Sequence, residues 1–142
     1  MTTVYMPGLW DLLHVGHVRA LKRAKSLGHS LVVGVPSDEV VKEDKGRYPI
    51  IPLKHRLEMV RSLEVVDWAY VYTELGFLAH LNQLRPQILA VGSTWGSEQR
   101  HKDAEEWVET HQRKKVVIPY CDETSTTEIC KKVLETRCNP EQ

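Results

Sequence analysis

Five short apolar runs rich in β-forming residues, separated by stretches of helical spacing, constrain the fold of this chain more than any other feature. They are Thr3 to Met6, Leu31 to Val35, Trp68 to Tyr72, Ile88 to Val91 and Val116 to Pro119. Short unbroken apolar runs suit strands covered on both faces, as in a parallel sheet. Between them, Val18, Leu21, Ala24 and Leu27 recur at a spacing of three, with Gly28 where a helix C-cap would fall. Pro52 stands at a first helical position, and Leu53, Leu57, Val60 and Leu63 form one stripe after it. Phe77 to Leu84, Glu98 to Thr110 and Ser125 to Thr136 also read as helices. Strand alternating with helix predicts an α/β chain: a doubly wound, mainly parallel five-stranded sheet with helices on both faces. The charged segment Lys42 to Pro52 contains Gly46 and Pro49, and reads as a mobile loop over one edge of the functional site.

A length of 142 residues suits one domain spanning 1–142, large enough to bury a core without disulfide or metal staples. Lys+Arg and Asp+Glu balance at 19 each, so there is no basic excess to neutralise a nucleic-acid backbone. Small molecules are the better-matched partners. No apolar run approaches the roughly 20 residues that cross a bilayer, and the N-terminus has no secretory pattern, so a cytoplasmic location is expected. Cys121, Cys130 and Cys138 form no CxxC pair and read as reduced, incidental thiols.

Chemistry concentrates where the first strand meets the first helix, at Pro7-Gly8-Leu9-Trp10-Asp11 and then His14-Val15-Gly16-His17. A strand running into a helix start presents free backbone N–H groups and the positive end of a helix dipole, which together form an anion site. Gly8 permits close backbone approach, and Gly16 leaves room between two imidazoles. His14 and His17, three apart at a helix start, face one side and can both donate to a phosphoryl group that gains charge during in-line attack. Paired histidines also bind zinc, but no third ligand is spaced convincingly nearby, and both could simply cap the helix.

Gly8-Leu9-Trp10-Asp11 followed by His14-Val15-Gly16-His17 resembles the G-x-F-D-x-x-H-x-G-H signature of the cytidylyltransferase-like nucleotidyltransferases, and Ser125-Thr126-Thr127 resembles that family's S-T-T motif. Ser37-Asp38-Glu39, Lys45-Gly46, His55-Arg56 and Val66-Asp67 follow the order and spacing of the glycerol-3-phosphate and ethanolamine-phosphate members. The resemblance implies a Rossmann-like enzyme that releases pyrophosphate from a nucleoside triphosphate carried with Mg²⁺, and transfers the nucleotide to a phosphorylated acceptor. It implies catalytic roles for His14, His17, Lys45 and Arg56. Nucleotide contacts are implied for Gly8, Leu9, Trp10, Asp11, Gly16, Arg47, Gly92, Trp95, Ser125, Thr126 and Thr127, and an acceptor contact for Asp38. Lys45 and Arg47 would reach phosphate from the loop and Arg56 from a first helical turn; the plain alternative is a solvated face. Ser125 to Thr127 would cap the last helix and offer hydroxyls to the β and γ phosphates.

Topology adds an argument independent of the motifs. Ligands of a doubly wound sheet bind beyond the carboxyl ends of its strands, where the order reverses. If the fourth strand borders the first there, Gly92 to Trp95 line the pocket, and Trp95 is placed to stack on a base or ribose or to pack as a core aromatic. Trp10 replaces the usual Phe, Ser93-Thr94 replace an acidic pair, and Tyr120 to Thr124 lack the arginine that precedes S-T-T in the glycerol-phosphate enzymes. The expected substrates are CTP and glycerol 3-phosphate or a related polyol phosphate. The rivals are an ATP-dependent adenylyltransferase acting on FMN or a heptose phosphate, and a nucleotide-binding regulatory domain without turnover. The resemblance further implies a homodimer formed through Arg61 to Trp68.

Overall fold

The computed structural model describes residues 1–119 and 123–137. Their elements alternate as expected: β1 (Thr3–Pro7), α1 (Val15–Lys25), β2 (Ser30–Pro36), α2 (Asp38–Lys45), α3 (Leu53–Arg61), β3 (Trp68–Tyr72), α4 (Leu78–Leu84), β4 (Ile88–Gly92), α5 (Gln99–Thr110), β5 (Lys114–Ile118) and α6 (Thr126–Arg137). The strands form one all-parallel sheet in the order β3-β2-β1-β4-β5. This is an α/β, Rossmann-like fold.

Side chains alternate across the strands into two apolar layers. Val4, Met6, Val33 and Ala90 face Leu21 and Ala24 of α1 and Val60 of α3. Tyr5, Leu89 and Val91 face Leu81 of α4 and Ala104, Trp107 and Val108 of α5. Because both faces are covered, the strand sequences are nearly continuous in apolar residues.

The order reverses between β1 and β4. Those strands share two residue pairs, Val4 with Ile88 and Tyr5 with Leu89, whereas β1 with β2, β2 with β3 and β4 with β5 each share five. Early separation of the central pair opens the crevice that such a reversal provides.

Two expectations change. Lys42 to Lys45 belong to a helix rather than a loop, because Ser37 Oγ caps its start by accepting from Val40 N at 3.2 Å and Gly46 ends it at φ 75°. Val40 and Val41 then have a buried side to occupy. Past the helix, Ile50 and Ile51 each donate a backbone N–H to the Asp11 carboxylate at 2.8 Å, so the segment is anchored from below. The first helix also ends sooner, at Ser26 rather than Gly28. At Gly28 a Cβ would come within 2.7 Å of the Thr2 carbonyl, so the missing side chain serves a close backbone approach instead of the cap.

Candidate active site

A cavity of about 480 Å³ lies over the carboxyl ends of the strands, within the usual range for a small-molecule site. At its centre is the start of α1. His14 is the N-cap residue, with extended backbone, and its Nδ1 accepts from Gly16 N at 3.0 Å. His17 Nδ1 accepts in turn from His14 N at 3.2 Å. The histidines therefore cap the helix, and capping sets their chemistry. With each Nδ1 accepting, the proton of each neutral ring resides on Nε2, which is the polar edge left for a ligand.

The rings stack with centroids 3.9 Å apart and 27° between planes. Burial and the neighbouring His14 lower the His17 pKa to about 4, against an opposing pull from Asp11; burial also lowers that of His14. At neutral pH the pair is thus two uncharged N–H donors. Positive charge in the lining comes instead from the helix start, from Lys45 in the last turn of α2 and from Arg100, with Asp44 beside both side chains.

The glycine-aromatic-aspartate turn supports this pair from beneath. Trp10 is 4% exposed, sits at φ 58°, donates its indole N–H to Gly34 O at 2.9 Å and meets His17 edge-on at 5.5 Å. Gly8 is required by that indole, since a Cβ there would lie 2.6 Å from Trp10 Cζ2. Leu9 lines the cavity while its carbonyl accepts from Arg56. Asp11 is buried with both carboxylate oxygens engaged by Ile50 and Ile51, which orients the turn. Its backbone carbonyl accepts from Thr126 Oγ1 at 3.1 Å, and this bond brings the start of α6 beside the start of α1. Ser125 Oγ caps α6 by accepting from Glu128 N. Gly16, Thr126 and Thr127 complete this part of the lining, where the starts of two helices meet the cavity and leave backbone N–H groups of the kind that can bind an anion.

Three expected residues lie elsewhere. Arg56 has no exposed side-chain surface; it donates to the carbonyls of Ile51, Leu9 and Pro36 and to Asp38 Oδ1 at 2.7 Å. Its guanidinium is a buried cross-link and does not line the cavity. Asp38 Oδ1 also accepts from Leu53 N at 2.9 Å, so this carboxylate fastens α2 to α3 and takes no part in the cavity lining. Arg47 is exposed beyond the end of α2 and does not line the cavity. Tyr120, Cys121, Asp122 and Cys138, which carried expectations, lie outside the described residues.

Gly92 and Trp95 lie where topology put them, with Trp95 N donating to Gly92 O at 3.0 Å. The Trp95 indole N–H is held by Glu105, and its ring packs on His101 at 4.2 Å and Phe77 at 5.2 Å. Sequence reading missed Tyr72, Phe77, Arg100 and Asp44 in this wall. The Arg100–Asp44 ion pair, 2.6 Å long, joins residues 56 apart and leaves no local signal.

A parallel sheet with two helix starts and paired neutral imidazoles at its reversal point suits a nucleotidyltransferase, and the relatives of this chain are nucleotidyltransferases. The chain belongs to the cytidylyltransferase-like family, whose model matches residues 5–133. It is 36% identical over 140 residues to the FAD synthase of Thermococcus onnurineus, covering 92% of this chain and 90% of that one. It is 37% identical over 143 residues to the FAD synthase of Pyrococcus abyssi, covering 96% and 95%. The bifunctional protein HldE of Trichlorobacter lovleyi is 35% identical over 133 residues, which are 93% of this chain but 27% of that protein. A lipopolysaccharide core biosynthesis protein from Thermoplasma volcanium shares the fold at a TM-score of 0.71 and 26% identity, covering 87% of this chain and 99% of that one. Among the described residues, no helix is long and apolar enough to cross a membrane.

Proposed function

We propose that this enzyme moves AMP from ATP to FMN, forming FAD and releasing pyrophosphate. The stacked His14–His17 pair, with both Nδ1 atoms occupied and both Nε2–H groups left to donate, supports nucleotidyl transfer. An acceptor phosphate oxygen attacks the α-phosphorus in line. The new P–O bond forms as the bond to the bridging α–β oxygen breaks, and pyrophosphate leaves. The two imidazole N–H groups hold the equatorial oxygens as they gain charge. The attacking oxygen is already anionic at neutral pH, so no general base is needed. Lys45 and the start of α6, with Thr127, face the β and γ phosphates. The triphosphate would carry Mg²⁺, which would neutralise part of its charge.

ATP and FMN are favoured over CTP and a polyol phosphate because the FAD synthases match this chain over nine-tenths or more of both lengths. The departures at Ser93 and Thr94 also run against the glycerol-phosphate pattern. A sugar phosphate is the second reading, supported by the HldE match, although the chain spans about a quarter of that protein. The homodimer belongs to the same proposal. Edge strand β3 begins at Trp68, 62% exposed, and the nearby Met59 is 51% exposed, so apolar surface is available where Arg61 to Trp68 would pair. The deciding test is pyrophosphate release with Mg²⁺ for ATP, CTP, GTP and UTP against FMN, heptose phosphate and glycerol 3-phosphate. ATP with FMN should dominate; preference for CTP across the acceptors would overturn the adenylyl assignment.

A further inference from the structure

Positive charge is scarce where a triphosphate has to sit. Among the described residues, the cavity lining carries two side-chain cations, Lys45 and Arg100, and two carboxylates, Asp44 and Glu98. The histidines add none. His14 and His17 are neutral at pH 7, and burial, then the adjacent Arg100, hold the His101 pKa below its ordinary value. Arg47 and Arg56, both expected at the phosphates, do not line the cavity. The polyphosphate is the most highly charged group the site must hold, and besides Lys45 one guanidinium is left to meet it.

Arg100 is built into the wall. It lies in the first turn of α5, with its side chain 16% exposed. Nε donates to Glu98 at 2.9 Å and Nη2 to Asp44 at 2.6 Å, while the guanidinium carbon lies 5.8 Å from the Phe77 ring centroid. These bonds use one edge of the planar fork; the Nη1 hydrogens and the second Nη2 hydrogen form the other. Among the described residues, Nη1 makes no hydrogen bond. Asp44, in the last turn of α2, also lies 3.7 Å from Lys45 Nζ, so a single carboxylate gathers both cations of the lining. A cation in the first turn of a helix opposes the helix dipole, and α5 has no acidic residue there to offset it. The position costs helix stability, and Asp44 and Glu98 compensate by fixing the fork.

We infer that Arg100 binds the polyphosphate of the nucleotide beside Lys45, through the guanidinium edge that Asp44 and Glu98 leave free. This deepens the nucleotidyl-transfer reading and rests on it. Asp44 and Glu98 are positioning residues: a fork already held on one edge loses little rotamer freedom on binding, and its free N–H groups match two phosphate oxygens. The neutral imidazoles serve the α-phosphorus, where charge develops during the reaction. Full charges serve the oxygens that are charged before it.

Calorimetric titration with ATP, AMP and pyrophosphate tests this contact without turnover. Arg100→Gln should weaken ATP and pyrophosphate binding about tenfold or more and leave AMP within about twofold, as expected for loss of one charge-assisted phosphate contact. Arg100→Lys keeps the charge without the fork; it should recover part of the loss, and its smaller ATP-specific deficit keeps the test decisive if Arg100→Gln fails to fold. In turnover, Arg100→Gln should raise the KM for ATP and leave the KM for FMN within about twofold. Equal losses for ATP and AMP would reduce Arg100 to a tether between α2 and α5, and a rise confined to the KM for FMN would give it to the acceptor phosphate; either overturns the inference. Unaltered ATP binding in Arg100→Gln, with FAD still formed, overturns the contact and keeps adenylyl transfer. ATP and pyrophosphate binding that depends on Arg100, with no pyrophosphate released for any acceptor, upholds the contact and removes the reaction assigned to it.

Discussion

His14 and His17 stack at 3.9 Å, each with Nδ1 accepting a backbone N–H at the start of α1. Helix capping and catalysis thus use opposite edges of the same rings. Replacing either with Ala should lower kcat by a factor on the order of 10² or more, as for removal of a preorganised transition-state donor. Asn at position 14 can cap the helix, so His14→Asn should recover stability more than kcat. Near-normal turnover in the Ala variants would refute the role.

Arg56 should behave as a structural residue. Arg56→Ala leaves Asp38 and three carbonyls without their donor and should destabilise the fold by about 3 kcal/mol, in the range for breaking a buried pair. Chemical denaturation measures the loss. In the fraction that folds, the KM for ATP should change little; a large rise with stability unaltered would return Arg56 to the phosphates.

Stability should fall in acid through two histidines. Burial lowers His17 and His80 to about 4, and the Nε2 of His80 has no hydrogen-bond partner among the described residues. Both pKa values lie below the unfolded value near 6.5, so between about 6.5 and 4 the unfolded chain binds more protons. Their contribution is fully present above pH 6.5 and is lost as pH falls through about 4. His80→Phe should flatten the dependence of unfolding free energy on pH in that window. An unchanged slope, or NMR titration of His80 near its ordinary value, would count against this account.

Thr127→Val should weaken ATP binding more than AMP binding, because Thr127 lines the cavity at the start of α6. Calorimetric titration of both nucleotides tests this. Equal losses would move the residue away from the β and γ phosphates.

The placement of Lys45 on α2 gives it a firm base. Lys45→Ala should reduce kcat/KM for ATP by about an order of magnitude or more, the loss expected for a charge-assisted phosphate contact. Steady-state kinetics at varied ATP would show it, and an unchanged value would return Lys45 to the solvated face.

By itself the sequence determined the order of strands and helices and the HxGH junction. These rest on short-range physics: apolar runs that suit strands buried on both faces, three-residue helical spacing, and histidines close enough to cap one helix. Even so, α2 was hidden by its charge and nearby glycine, because Ser37 and Gly46 bound a helix whose apolar side is just Val40 and Val41. The tertiary structure alone decided which polar groups meet. It took Arg56 and Asp38 out of the cavity, paired Arg100 with Asp44 across 56 residues, and bonded Thr126 to Asp11 across 115. Such pairings have no period or motif, because they depend on where the parallel crossovers return the chain. A guanidinium near a phosphate site and one buried beneath it look the same in sequence; the carbonyls of Leu9, Pro36 and Ile51 surround the second once the sheet has formed.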